Sequence, residues 1–164
     1  MAAVSITPYH RYTGDDEPLD LKAWAAVVAK NFLAREHLSV WIEPGAYAVQ
    51  DAGILLVTVN SVEQKHRATF AGVDAGFNIA CEPAVYQLPL HPVPALHKST
   101  TTPPRRVTIA GHINEALDVF YKEIELQELA EDDTLALLNA GAYAASMASN
   151  HCMRGEFKEF LLLE

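Results

Sequence analysis

Residues 47–59, Tyr47-Ala48-Val49-Gln50-Asp51-Ala52-Gly53-Ile54-Leu55-Leu56-Val57-Thr58-Val59, carry the reading of the fold. The run is rich in aliphatic, β-branched and aromatic side chains, a composition that suits a pleated, half-buried surface. Arg67–Val73 has the same character, and polar turn-formers separate the two, so both are expected to be long sheet strands. Downstream, Val107-Thr108-Ile109-Ala110 resumes a strand before Gly111, Thr134–Leu138 is a further short apolar run, and Lys158–Leu163 is a candidate closing strand. The proline-rich stretch from Ala84 to Pro104 is expected to be loop or edge strand, because proline cannot donate to a central ladder. Upstream the pattern changes. Asp20 is a suitable N-cap, and Trp24, Val27, Val28, Phe32 and Leu33 recur at helical spacing, predicting an amphipathic helix that ends near His37. Leu38-Ser39-Val40-Trp41-Ile42 then reads as a buried strand stopping at Glu43-Pro44-Gly45. A helix feeding a strand suggests an α/β unit, followed by a β-rich domain.

The chain has 164 residues, half of them apolar, enough for one ordinary core. Its 12 basic against 21 acidic residues give a net charge of -9, which repels phosphate backbones and anionic lipid, so neither nucleic acid nor a membrane surface is an expected partner. The apolar stretch from Ala48 to Val59 falls short of the roughly 20 residues that span a bilayer. Met1–Thr7 lacks a basic region followed by an apolar one, so a cytoplasmic protein is expected. Cys81 and Cys152 lie far apart with no metal-ligand spacing and are expected to be buried free thiols, with no zinc site. His91 and His97 flank Pro92 and Pro94 and are read as surface-loop residues.

Polar residues interrupt apolar runs at three places where the backbone must turn. Glu43-Pro44-Gly45 either ends a barrel-type strand at a ligand pocket, with Gly45 admitting an anion close to the backbone, or is an ordinary turn. Gly111-His112-Ile113-Asn114-Glu115-Ala116-Leu117-Asp118 either positions a ligand ammonium and shuttles protons or is a solvated turn in which Asn114 caps a short helix. The small-residue run from Asn139 to Asn150 carries Tyr143, either as a hydroxyl offered to a ligand or as a half-buried packing residue.

In this order and at these separations, the segments resemble the diaminopimelate and ornithine decarboxylase family, the fold-type III enzymes that bind pyridoxal phosphate in an α/β barrel. Glu43-Pro44-Gly45 followed by Tyr47 is similar to the family's E-P-G-R-Y, and Val73-Asp74-Ala75-Gly76-Phe77-Asn78 to its V-D-A-G-M-N. Glu82-Pro83-Ala84-Val85-Tyr86 resembles R-P-A-L-Y, Asn114-Glu115-Ala116-Leu117-Asp118 stands where the family has C-E-S-G-D, and Asn139-Ala140-Gly141-Ala142-Tyr143 resembles D-A-G-A-Y. The resemblance runs from about Pro8 to the end. Gly111–Glu115 and Asn150–Gly155 look more like the siderophore and secondary-metabolite branch.

The resemblance implies a mainly β chain, a Greek-key-like barrel or sandwich over residues 44–164, preceded at 1–43 by a loop, helix and strand left from the α/β barrel. It implies that Glu43 faces the cofactor's pyridine nitrogen, that Gly45 and Tyr143 contact its phosphate, and that Asn114 and Glu115 serve catalysis. Tyr86, Glu82 and Asp118 would line the substrate pocket. It also implies an amino-acid substrate and a head-to-tail homodimer, or a complex with a separate barrel subunit, because the lysine that carries pyridoxal 5'-phosphate lies in the barrel and no lysine here replaces it by motif. Without that barrel, the apolar face of the helix from Leu21 to Glu36 is expected to be exposed.

Three departures bear on chemistry. Ala46 stands for the motif arginine, removing a two-donor anion ligand. Glu82 stands for the arginine that holds the distal carboxylate of diaminopimelate, and would repel that group. Asn114 stands for the proton-donating cysteine, a role an amide cannot fill. A non-catalytic, decarboxylase-like interaction protein and a degenerate fragment are the competing readings.

Overall fold

A computed structural model describes residues 20–33, 35, 37–96 and 102–163. Met1–Thr7, Pro8, His97 and the 97–101 part of the proline-rich segment lie outside the described residues. Six strands form one sheet: β1 (Ile54–Lys65), β2 (Ala68–Val73), β3 (His91–Pro94), β4 (Arg105–Ala110), β5 (Val119–Leu126) and β6 (Thr134–Leu138), in the order β3-β6-β1-β2-β4-β5. Only the β2–β4 pair is parallel. The two ends of the sheet approach each other where the His91 ring of β3 meets Tyr121 of β5 edge-on, with centroids 5.7 Å apart. The chain is therefore mainly β, a nearly closed six-stranded barrel-like sheet, as expected from its sequence.

Alternation fills the barrel. Val57 and Val59 of β1, Ala71 and Val73 of β2, Val107 and Ile109 of β4, Phe120 and Leu126 of β5, and Leu135 and Leu137 of β6 are buried together with Leu90. Each fully buried aliphatic side chain contributes about 1.5–3 kcal/mol relative to an exposed one, so this interior dominates the stability. No helix among the described residues is long and apolar enough to cross a membrane.

Several expectations are corrected. The stretch Tyr47–Gly53 is not strand: Gly45–Val49 forms a short helix (α2) and Gln50–Ala52 a 3-10 turn, and β1 begins only at Ile54. The upstream helix (α1, Leu21–Val28) is capped by Asp20, whose carboxylate accepts from the amides of Lys22 and Ala23, but it widens into a π turn at Ala29–Leu33. There the Asn31 amide group donates to the Val27 carbonyl at 2.8 Å, a side-chain bond that competes with the helical ladder. Leu38–Ile42 has no regular structure and is exposed, with Trp41 at 78 %. A strand exists only by pairing, and among the described residues none lies beside it. Lys158–Leu163 likewise forms no strand, and Phe160–Leu163 are all more than 80 % exposed. Strand β5 was not anticipated at all. Glu82–Tyr86 (α3) is helical within the proline-rich region, and β3 is the expected edge strand, so His91 is a sheet residue rather than a loop one. Cys81 is a buried free thiol, whereas Cys152 is exposed.

Candidate functional site

Residues 139–155 form a continuous segment along which the motif loops are gathered. Its first part docks on the entry to β1. The Ala140 amide donates to the Gly53 carbonyl and that of Gly141 to Gln50, both at 2.9 Å. The backbones are so close that a Cβ on Gly53 would strike Gly141, and one on Gly141 would strike the Val49 carbonyl. Small residues are required here for that approach. The docking brings Tyr143 to Gly45: a Cβ on Gly45 would lie 3.4 Å from the Tyr143 hydroxyl oxygen. Gly45 and Tyr143, both expected at the cofactor phosphate, are thus neighbours. Both are exposed, as is Glu43 two residues before Gly45.

The later part of the segment ties together the loops after β2 and β4. Asn78 is buried and accepts from the Ser149 amide through its own carbonyl at 2.8 Å, while its side-chain amide donates to the Arg154 carbonyl at 2.7 Å. Its Oδ1 lies 3.1 Å from Nε2 of His112, and the Arg154 guanidinium donates to the His112 carbonyl at 3.1 Å. Burial first, and then the Arg154 charge, holds the His112 imidazole below its ordinary pKa, against the opposing pull of Asp118 and Asp74. Each loop therefore makes its bonds to residues distant in sequence.

Asp118 is the fixed point. It is buried, its Oδ1 accepts from the Phe77 amide and its Oδ2 from the Ile113 amide, each at 2.7 Å. Gly111 and Gly76 both lie against the carboxylate, so closely that a Cβ on Gly111 would overlap it. Burial raises the Asp118 pKa, and the two amides and His112 pull it back only in part. With both oxygens engaged by backbone, Asp118 orients the loop rather than reaching outward.

That loop presents Glu115. Its Oε1 lies 2.7 Å from Nε2 of His151, and the His151 ring packs at a tilt on Phe77, with centroids 4.9 Å apart. Asn114 is exposed beside it. Residues 112–117 form bends and turns, so Asn114 caps no helix. Cys152 follows His151, and one potential ligand atom from each of Glu115, His151 and Cys152 lies within 4.8 Å of the others. His151 and Cys152 were not singled out from sequence as site residues. The available signal was an adjacent His-Cys pair inside a loop with no apolar period.

Glu82 differs from the rest. It opens α3 at 1 % exposure, and neither carboxylate oxygen has a hydrogen-bond partner. Burial pushes its pKa up to about 7 and also, with the Glu82 charge adding to it, raises the Cys81 thiol. Tyr86, four residues on, is exposed.

Comparison with known proteins places this geometry. Residues 24–141 match the family described as pyridoxal-dependent decarboxylase, C-terminal sheet domain. The diaminopimelate decarboxylase of Methanothermobacter thermautotrophicus is 37 % identical over 161 residues, covering 93 % of this chain and 37 % of that protein. That of Bacillus subtilis is 35 % identical over 150 residues, covering 86 % and 34 %. Among solved structures, diaminopimelate decarboxylase from Helicobacter pylori complexed with L-lysine superposes with a TM-score of 0.73 at 26 % identity, over 93 % of this chain and 36 % of that one. The chain spans about a third of the length of these relatives.

Proposed function

This chain belongs to the pyridoxal-dependent decarboxylase family, whose C-terminal sheet domain it carries, and from that premise we propose that it forms the C-terminal part of an amino-acid decarboxylase active site. The observation that carries the reading is the convergence of the motif loops on the single segment 139–155, with Gly45 beside Tyr143 at one end and Glu115 beside His151 at the other.

Pyridoxal 5'-phosphate, when bound, supplies the electron sink for the pair left behind as carbon dioxide departs. The residues present fit it at Gly45, where a missing side chain leaves the Tyr143 hydroxyl uncovered. In this reading Gly45 and Tyr143 hold the phosphate, and the Glu43 carboxylate keeps the pyridine nitrogen protonated. Glu115 takes the substrate amine, Tyr86 lines the pocket, and Asp118 positions the Glu115 loop through the Phe77 and Ile113 amides. Asn114 orients groups but supplies no proton at neutral pH. At position 82, where the family motif has an arginine, a buried glutamate offers no cation to a distal carboxylate, which points to diamino acids without a second carboxylate or conjugated amino acids of secondary metabolism such as siderophore precursors rather than diaminopimelate.

Residues 1–43 are read as part of the cofactor-binding barrel and 44–164 as the β domain. Supporting this, α1 buries none of its residues and Leu38–Ile42 is exposed, surfaces that adjoining barrel elements would cover. Assembly as a head-to-tail homodimer, with the barrel in the same or a separate chain, and residence in the cytoplasm complete the proposal.

The test has two arms. The 164-residue chain treated with pyridoxal phosphate and borohydride is expected to yield no stoichiometric adduct on any single one of its six lysines. With a barrel segment supplied, carbon dioxide should be released from diamino acids with a single carboxylate in preference to diaminopimelate. A site-specific adduct on the chain alone would overturn the division of labour, and preference for diaminopimelate would overturn the role of Glu82.

A further inference from the structure

We propose that Glu115, His151 and Cys152 form a binding site for a borderline-soft divalent cation of the zinc class. The inference rests on the geometry of this chain and not on the decarboxylase reading. One ligand atom from each residue lies within 4.8 Å of the others, and Glu115 and His151 already stand 2.7 Å apart. Tetrahedral coordination at about 2.0–2.3 Å places ligand atoms roughly 3.3–3.8 Å apart, so the Glu115–His151 pair opens slightly to admit the ion, and Cys152 is within reach of the same point.

Neighbouring residues in an extended chain point apart, yet His151 and Cys152 both reach Glu115. The backbone explains this: Cys152 and Met153 adopt successive left-handed conformations, with φ of 54° and 58°. Such conformations in non-glycine residues cost of order 1–3 kcal/mol each and persist where surrounding structure enforces them. Here the enforcing contacts are the Asn150 side chain, which accepts from the Gly155 amide at 3.1 Å, and the bonds of Ser149 and Arg154 to Asn78. Phe77 fixes the plane of the His151 ring. The backbone of the loop is thus held in shape by contacts of Ser149, Asn150, Arg154 and Gly155, none of them a proposed ligand.

The donor set selects the ion. Thiolate, imidazole and carboxylate together suit zinc or cobalt and disfavour magnesium and calcium, which take oxygen ligands. A thiolate and a carboxylate balance the two positive charges, and the net charge of -9 favours cation approach. Three protein ligands leave a fourth position for water or another molecule. Because the ion takes the Glu115 carboxylate, it competes with any amine that uses the same group.

The test uses the 164-residue chain without a barrel segment, so its outcome is independent of decarboxylation. Zinc titration against a chromophoric chelator should give one ion per chain. Cobalt should give tetrahedral visible bands and a thiolate-to-metal charge-transfer band in the near ultraviolet. Cys152→Ser should abolish that band, and Cys152→Ser and His151→Gln should each weaken zinc binding by about 100-fold or more, at or beyond the upper end of outer-shell changes. Both side chains are exposed, so neither change disturbs the core. Zinc should also protect Cys152 from alkylation. No stoichiometric zinc, or a Cys152→Ser chain with unchanged affinity and cobalt spectrum, overturns the proposal.

Discussion

Asp118→Ala is expected to destabilise the chain by about 3 kcal/mol, because it strands the buried Ile113 amide and the part-buried Phe77 amide, which the carboxylate satisfies at 2.7 Å each. The raised pKa of Asp118 shows that its charge is costly where it sits, yet breaking such a group from one side leaves its partners unpaired. At 2–4 °C per kcal/mol for a chain of this size, the melting temperature should fall by roughly 6–12 °C. Asp118→Asn retains one acceptor oxygen and should recover about half of the loss. Amide exchange at Phe77 and Ile113 should quicken ahead of the barrel strands, since the loops open before the core. An Asp118→Ala chain within about 0.5 kcal/mol of the wild type would remove the anchor on which the Glu115 loop depends.

Glu82 predicts the opposite sign. Its folded pKa, about 7, lies above the ordinary value of 4.5, so the folded chain holds a proton that the unfolded chain releases. Its penalty is absent below pH 4.5, grows as pH rises toward 7 and is complete above that, where it amounts to roughly 3 kcal/mol. Glu82→Gln cannot ionise. Relative to wild type it should therefore gain roughly 3 kcal/mol between pH 4.5 and pH 8.5, read as diverging denaturation midpoints. His112, whose pKa is lowered by burial, works in the other direction below its usual range, but it is common to both proteins and cancels in the difference. Parallel stability curves for the two across this window would show that Glu82 is ionised without penalty in the fold.

The Ile54–Val59 part of β1, β2, β4 and β6 were legible because apolar residues alternate or cluster between turn-formers, whereas the mostly polar residues 60–65, read as a turn, continue β1 to Lys65. β5 was hidden by a bulge. Val107 pairs with Ile124 and Ile109 with Tyr121, so Lys122 and Glu123 occupy the space of one residue. Glu123 turns left-handed at φ 53°, its amide meeting the Thr108 hydroxyl oxygen at 3.3 Å, and the two adjacent charges erase the period of two. Leu38–Ile42 failed for a different reason: strand propensity states what a segment tolerates, and pairing decides what it becomes.

The motifs singled out Glu43, Gly45, Glu115 and Tyr143 as candidates, but contacts between residues far apart in sequence could not be read. Asp118 looked like one more outward carboxylate until its two amide donors were visible. His151 lies 36 residues from Glu115 and meets it only because Asn78 and Arg154 fold the segment back. The Gly53–Gly141 approach, which sets Tyr143 beside Gly45, is likewise a property of packing.

In the proposed head-to-tail dimer, the Glu115 loop of one copy enters the site that holds Glu43 of the other, so the two carboxylates serve one decarboxylase site. With the barrel segment present, Glu43→Gln should slow the chemical step by weakening protonation of the ring nitrogen, and Glu115→Gln should impair substrate handling while leaving the cofactor's environment intact. Carbon dioxide release from an equal mixture of the two variants is the decisive measurement. Random pairing puts about half of the dimers in mixed form, each with one of its two sites wild type at both positions, so the mixture should recover about a quarter of wild-type activity. A mixture no more active than the better single variant would contradict the shared site.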